Sequence, residues 1–479
     1  MLFVFKCSTQ ADYIGMSDYT LDKVSESWAI LDDLKDYKIN DFFPAEQDSS
    51  LFIILSEFEN NNRDMQLIDI QSKVSTLYYN VGKSDLYPGI SSNISTGYGE
   101  QNLAGLGLSD ELLESIQDSE NGESGGSENN SSQSGGGSFG TSTYSAKLNI
   151  AWELDLWGRI QYSQDSKKSK MLSSLHDLEY ARISLKAQFI KLYISSAHIN
   201  KEIQIFEQNL QNLKNIIDAT DRRILGGLAS PEDVHLASAN YYLYESNLLT
   251  KRIEINSIKR NIELMLGRYP ASSISISYMY PDNIYDIKSG LVSELILRRP
   301  DILSDREKLN SSRSTLIANK RALFPSFTIT GSLGQSSSDL DNLFNPNSSI
   351  WNVGLNILQP VFQSGKIKKN IEIAGQELSL SDIEYLKTVM NAFYETENCL
   401  DLDKNLKAAQ NTIEKSVEDM QKAVNYAIRG YELGLVDLMY LLNLQQQLLN
   451  TKIQLENIIA KRYLNRIDLI LALGGDFEY

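Results

Sequence analysis

The sequence predicts a mostly α-helical fold with a transmembrane β part, built from two copies of one unit in which a strand hairpin leads into a helical hairpin. Three observations carry that expectation. Stretches of the chain match at a fixed offset, two very long segments lack helix breakers, and the segments just before them alternate apolar and polar residues. Repeats come first because they decide architecture before any single element does.

Leu148-Asn149-Ile150, followed by Gly158-Arg159-Ile160, parallels Leu355-Asn356-Ile357, followed by Gly365-Lys366-Ile367, at an offset of 207 residues. Leu266-Gly267 and Leu473-Gly474 keep that offset. Tyr87-Pro88 and Phe324-Pro325 lie 237 apart, so the first half carries 30 extra residues. These fall in a loop at 100–143, where Gly125-Gly126-Ser127 and Ser134-Gly135-Gly136-Gly137-Ser138 give a flexible, solvated composition.

The chain therefore reads in order as an N-terminal tether (1–49), a helical stretch (50–86), a first β-hairpin (87–160) and a first helical hairpin (161–270). An equatorial linker (271–300) with Pro270, Pro281 and Pro300 as breakers follows. The second half repeats the plan: a helix at 301–323, a β-hairpin at 324–365 and a helical hairpin at 366–474.

Gln161 to Leu225 contains neither glycine nor proline, and Ile367 to Arg429 contains only Gly375. Each run could span about 90 Å at the helical rise. The second run carries a seam at alternating spacings of four and three, from Ile367, Ile371, Ala374 and Leu378 through Ala392. It continues as Glu395, Cys399, Leu402, Leu406, Ala409, Ile413, Ser416, Met420, Ala423 and Ala427. That is the coiled-coil period. Val234, Ala237, Tyr241, Tyr244, Leu248, Lys251, Ile255, Ile258, Ile262 and Met265 repeat it after the first turn. A plain antiparallel coiled-coil hairpin would show the same seam.

The strands point elsewhere. Tyr144, Ala146, Leu148, Ile150, Trp152, Leu154 and Leu156 share one face, and Ser145, Lys147, Asn149, Ala151, Glu153 and Asp155 the other. Trp351, Val353, Leu355 and Ile357 repeat the pattern against Asn352, Gly354 and Asn356. Ile90, Ile94 and Tyr98, then Phe327 and Ile329, are weaker versions. Such alternation suits a barrel facing lipid, and equally a soluble sandwich. Only four good strands exist, whereas a closed barrel needs about eight. Lipid does not tolerate open sheet edges, so a membrane reading makes several chains share one barrel; three would give a trimeric twelve-stranded barrel.

Composition narrows the function classes. A net charge of −17 disfavours nucleic-acid partners, which require a basic footprint. Cys7 and Cys399 are the whole cysteine inventory, so there is no disulfide framework, and Cys399 reads as a small hydrophobe on the seam. No run of about 18 apolar residues offers a membrane-spanning helix. The opening Met1-Leu2-Phe3-Val4-Phe5-Lys6 is short for a signal peptide. His176, His198 and His235 lack partners at metal spacing, and Gly97-Tyr98-Gly99 and Gly105-Leu106-Gly107 are too short for a phosphate loop. No enzyme, cofactor or metal site is expected.

These residues resemble the TolC family of outer-membrane channels, more closely its lipoprotein drug- and metal-efflux branch, from about Phe43 to Gly475. The most specific piece is Trp152-Glu153-Leu154-Asp155-Leu156-Trp157-Gly158-Arg159. Arg298-Arg299-Pro300-Asp301-Ile302, Trp351-Asn352-Val353-Gly354 and Gln359-Pro360-Val361-Phe362 with Gly365 support it. The resemblance implies a homotrimer whose twelve-stranded β-barrel in outer-membrane lipid is continuous with a twelve-helix α-barrel in the periplasm. It implies a passive conduit in a tripartite efflux or export system, opened by a periplasmic adaptor (membrane fusion) protein and driven by an inner-membrane transporter.

The resemblance also implies site residues. The helical tips that would dock the adaptor are Arg223, Gly227, Leu228, Ala229 and Ser230, and Tyr431, Gly434, Leu435 and Val436. Gly430 stands where the family usually carries an arginine. Met439 and Asn443 would form the periplasmic gate, with Asn443 in the place of an aspartate, and Cys7 would be the lipidated cysteine. Ordinary turn chemistry accounts for the same glycines, and Met439 in the helix seam is the alternative to the gate. Two other functions fit the pattern: a coiled-coil scaffold or adhesin without a pore, and an adaptor-independent porin.

Overall fold

The computed structural model describes residues 49–102, 138–275, 280 and 298–475. Cys7, most of the first-half loop and most of the linker lie outside the described residues. In chain order the elements are α1 (Ser49–Asn61), α2 (Arg63–Lys83), β1 (Gly89–Asn102), β2 (Ser138–Leu154), α3 (Arg159–Leu225) and α4 (Pro231–Met265). Then follow α5 (Pro300–Arg321), β3 (Ser326–Ser337), β4 (Ser349–Leu358), α6 (Lys366–Glu432) and α7 (Leu438–Ala472). The chain divides into a strand unit, Asn80–Asp165 with Ser314–Gly375, and a helical unit holding the remainder.

The strand unit is one antiparallel sheet in the order β1-β2-β3-β4. Its register sets Ile90 opposite Ile150, Leu148 opposite Leu333, and Ile329 opposite Leu355. Since side chains alternate at period two, this places the apolar residues of all four strands on one face. That face is uncovered: Ile94 is 82% exposed, and Trp351 and Val353 are each 75% exposed. β1 and β4 are unpaired on their outer edges among the described residues.

The motif at 152–159 makes the corner from β2 into α3. Glu153 pairs with Arg159 at 2.7 Å, and the Asp155 carboxylate accepts the backbone N–H of Gln161 at 2.6 Å, which serves an otherwise orphaned donor of the first helical turn. Trp157 stacks on Phe324 at 5.1 Å and donates to the Pro325 carbonyl at 2.8 Å. Gly158 turns the chain at φ +78°, and Gly365 does so at φ +81° in the second copy.

In the helical unit the expected single stretch at 50–86 is divided. Asn62 separates α1 from α2 because its side chain is occupied on both sides. Its Oδ1 accepts from the Met65 N–H at 2.9 Å, as an N-cap does, and its Nδ2 donates to the Met265 carbonyl at 2.7 Å. A short turn at Ser84–Leu86 ends the stretch. Phe58 of α1 stacks on Phe189 of α3 at 4.7 Å, and buried Lys186 pairs with Glu59.

Serine pairs mark the order of helices in one row. Ser75 of α2 meets Ser174 of α3 at 2.8 Å, Ser173 of α3 meets Ser304 of α5 at 2.9 Å, and Ser312 of α5 meets Ser381 of α6 at 2.7 Å. Small residues at these contacts allow close backbone approach. The row α2-α3-α5-α6 leaves α2 and α6 at its ends. Each end exposes apolar side chains: Leu67, Ile70 and Leu77 on α2, and Leu380, Ile383 and Met390 on α6.

The seam of α4 is buried or half-buried at every expected position from Val234 to Met265. The seam of α6 is corrected in its second part. Glu395, Leu402, Ala409 and Ser416 are exposed, and the neighbours Thr396, Asp403, Gln410 and Val417 face inwards instead. The cause is polar pairing that apolarity does not reveal. Arg466 of α7 donates to Asp403 at 2.7 Å and Arg462 to Gln410 at 2.6 Å. With Arg466 2% exposed, a carboxylate facing it is needed to offset the cost of burying its charge. Cys399 is buried as expected; burial, with Asp468 and Glu395 nearby, pushes its thiol up to about 12. Such a thiol is inert at neutral pH.

Candidate functional site

The two tips are built alike. α3 ends at Leu225 and α6 at Glu432, Gly227 and Gly434 reverse the chain at positive φ, and Ser230 and Asp437 open the returning helices. Leu228 donates its N–H to the Arg223 carbonyl and Leu435 to the Gly430 carbonyl, both at 2.8 Å, the closing bond of a helix that ends in a left-handed glycine. Ser230 accepts from the Glu232 N–H at 3.3 Å while Asp233 accepts the Ser230 N–H at 3.0 Å. Pro231 occupies the first helical position, where its missing N–H costs nothing.

Arg223 joins the tips. Its guanidinium lies 4.4 Å from the centre of the Tyr431 ring, and it donates to the carbonyls of Tyr431 and, at 3.1 Å, Leu228. The buried Tyr431 hydroxyl shares a hydrogen bond with Thr220 at 2.8 Å. Thr220, fully buried, is not among the residues the sequence points to; its place one turn before Arg223, on the face towards Tyr431, is what brings it into the site. Four leucines project around this staple: Leu225, Leu228, Leu433 and Leu435, between 70% and 89% exposed. Ala229 and Val436 are half-buried. A Cβ at Gly430 would stand 3.4 Å from Val436, so Val436 packs where a longer residue would begin. Thus the structure brings Arg223, Leu228, Tyr431 and Gly434 together, and spaces Ser230 as a cap.

Met439 and Asn443 share the outward face of α7, one turn apart. Met439 is 52% exposed, while Leu438, Leu441 and Leu442 fill the seam on the other side. Met439 is therefore not a seam residue within this chain.

Farther along the hairpins, buried polar groups fix the helix ends. Burial favours protonation of Glu263, yet three backbone N–H groups, of Ser272, Ile274 and Ser273, with the Ser273 hydroxyl, hold its carboxyl below the usual range. Arg299, 2% exposed, forks to Asp301 and reaches Glu395 and the Ala472 carbonyl. Burial lowers the pKa of His198 despite Glu202 at 3.9 Å. Among the described residues no cluster of three or more metal-binding side chains occurs.

An open sheet with a bare apolar face and a set of long paired helices are the features of an outer-membrane channel protein. The match is direct: the outer membrane efflux protein family covers residues 54–268 and 291–475, and the chain belongs to that family. It is an outer-membrane component of efflux systems. The cation efflux system protein CusC of Escherichia coli O157:H7 is 24% identical over 433 residues, 90% of this chain and 87% of CusC. The outer membrane protein OprJ of Pseudomonas aeruginosa is 25% identical over 425 residues, 87% of this chain and 82% of OprJ. The solved structure of CusC superposes with a TM-score of 0.80 at 22% identity, covering 94% of this chain and 97% of that one. The outer-membrane channel OprN gives a TM-score of 0.82 at 19% identity, covering 95% and 98%. These likenesses confirm the mostly helical channel fold.

Proposed function

We propose that three copies of this chain close into one duct, a twelve-stranded β-barrel in the outer membrane leading into a twelve-helix α-barrel in the periplasm. The observation that carries this is the four-stranded sheet with one apolar face and two unpaired edges. Alone in lipid, each unpaired backbone group would cost several kcal/mol. β4 of one subunit pairing with β1 of the next removes every edge. The exposed stripes of α6 and α2, at the two ends of the helical row, meet in the same head-to-tail arrangement, which is closed in a ring.

The parts then divide by role. Residues 87–160 and 324–365 form the barrel, 161–270 and 366–474 the periplasmic hairpins, and 271–300 the equatorial linker. The stretches 50–86 and 301–323 complete the helical wall. The tether, 1–49, offers Cys7 as a lipid anchor, which mass spectrometry of the mature N-terminus decides. The exposed leucines at the tips, held around Arg223 and Tyr431, suit an apolar partner, a periplasmic adaptor hairpin. Met439 and Asn443, three times repeated, narrow the closed end. The duct does no chemistry; an inner-membrane pump supplies the energy, and adaptor binding shifts the closed end towards an open state.

Planar-bilayer recording of the purified protein, with and without an adaptor hairpin, tests this. The expected result is a small basal conductance that rises when the hairpin is added. Steady full conductance without it indicates a porin, and no conductance at all a scaffold. Cross-linking in native envelopes that yields only single subunits overturns the trimer.

A further inference from the structure

We propose that the exposed face of α7 beyond Asn443 is an uncharged amide track, formed by Gln446, Gln447, Asn450 and Gln454, which makes the narrow end of the duct indifferent to the sign of the charge that passes. This rests on the reading that Met439 and Asn443 line the gate. All four residues are exposed, as Asn443 is. At 100° per residue they stay on the gate residues' side of the helix. Leu441, Gln445, Leu448 and Leu449 occupy the opposite, buried side.

Charge is missing here and abundant elsewhere. No Asp, Glu, Lys or Arg occurs between Asp437 and Lys452, in a chain that is 22% charged with a net charge of −17. The first copy differs: 207 residues earlier, Met439 corresponds to Glu232, and the track positions correspond to Ala239, Asn240, Leu243 and Asn247. Only two of these four counterparts, Asn240 and Asn247, are amides, so the continuous amide face belongs to the second hairpin. The amides are also free. Gln410, Gln421 and Gln211 each spend their side chain on a residue one turn away. Among the described residues no hydrogen bond engages the side-chain amide of Asn443, Gln446, Gln447, Asn450 or Gln454; Thr451 reaches Gln447 only at its backbone carbonyl.

An amide offers two donors and a carbonyl acceptor without net charge, so it exchanges hydrogen bonds with anions, cations and neutral polar groups alike. A ring of three carboxylates in its place would draw cations and repel anions. The track from Asn443 to Gln454 extends the gate by about 16 Å along the helix. The solutes it fits are polar or amphipathic molecules of either charge or none, as opposed to a stream of ions of one sign.

The test is the reversal potential of the full-length protein in planar bilayers under a potassium chloride gradient. Wild type is expected to pass potassium and chloride within about twofold of each other, and Asn450→Asp, or independently Gln447→Glu, to raise the preference for potassium at least about threefold. Asn247→Asp, on the exposed face of α4, is expected to leave the ratio unchanged. Asn450 lies about 10 Å along the helix from Asn443, close to one screening length at 0.1 M salt, so the two sites are read separately. Strong selectivity in the wild type overturns the proposal. If Asn443→Asp shifts the ratio while Asn450→Asp and Gln447→Glu do not, the gate stands and the track falls. If none of the three shifts it, the gate reading itself is wrong.

Discussion

The two helical hairpins are the same object in different surroundings. α3 and α6 each have 67 residues, and α4 and α7 each have 35. The positive-φ glycines among the described residues form three pairs, Gly158 with Gly365, Gly227 with Gly434 and Gly267 with Gly474, each 207 residues apart. Yet α4 buries six residues and α7 buries fifteen. α4 leans on α3 through Lys251–Glu202 and Arg252–Glu207, whereas α7 is held by α3 through Lys191–Asp468 and by α6 through Arg462, Asn465 and Arg466. Length and turn geometry are set by local chemistry and survive duplication. Burial is set by neighbours, and there the copies have parted.

The largest effect that sharpens this difference lies at Arg466 and its counterpart Lys259. Arg466→Ala leaves the half-buried Asp403 carboxylate without its partner and is expected to cost about 3–5 kcal/mol in denaturant unfolding followed by circular dichroism. Lys259→Ala, on the half-exposed flank of α4, is expected to cost under about 1 kcal/mol. Asp403→Asn with Arg466→Met together should recover much of the loss, since removing both charges also removes the desolvation cost. Equal losses at Arg466 and Lys259 would erase the contrast between α7 and α4.

The same contrast explains what was legible in the sequence. The α4 seam follows apolar residues at every position but Lys251, so periodicity alone finds it. The α6 seam runs through Thr396, Asp403 and Gln410, because α7 answers them with arginines. Apolarity alone points to Leu402 and Ala409, one position off. The signal is present as Arg462 and Arg466, four apart on the buried face of α7, but its meaning depends on a partner 63 residues away in Asp403. The strands were legible because one face is bare, and the tip turns because glycine marks them. The Arg223–Tyr431 staple was not, since it joins residues 208 apart through backbone carbonyls, which leave no trace in side-chain pattern.

A pH titration separates the copies at the far end of the hairpins. Glu263 of α4 corresponds to Ile470 of α7, so only the first copy ends in a buried carboxylate. The folded-state pKa of Glu263 is depressed, so its stabilisation is complete above the unfolded value of about 4.3 and is lost as pH falls through the lower folded value. Glu263→Gln is expected to be less stable than wild type at neutral pH, with the gap closing as pH drops below about 4. A gap that stays constant with pH would show that the carboxylate charge is not what anchors Ser272–Ile274.

The smallest expected effect concerns the caps, where the copies come closest to being equal. Ser230 and Asp437 occupy equivalent positions, and each accepts a backbone N–H of the first turn. α4 has Glu232 and Asp233 in that turn, whereas α7 has no acidic residue there, so Asp437 is the one charge complementing its helix dipole. Ser230→Ala should cost about 1 kcal/mol. Asp437→Ala should cost about the same for the cap and a further 0.3–1 kcal/mol or so for the dipole. Asp437→Asn keeps an acceptor and loses only the charge, so it isolates the second part. Met439 sits in the turn that Asp437 caps and Asn443 in the next, so with the proposed gate Asp437→Ala should also raise basal conductance, while Ser230→Ala should not. A larger loss at Ser230 than at Asp437 would mean that α7 starts no more tightly than α4, and that the difference between the hairpins begins beyond their tips.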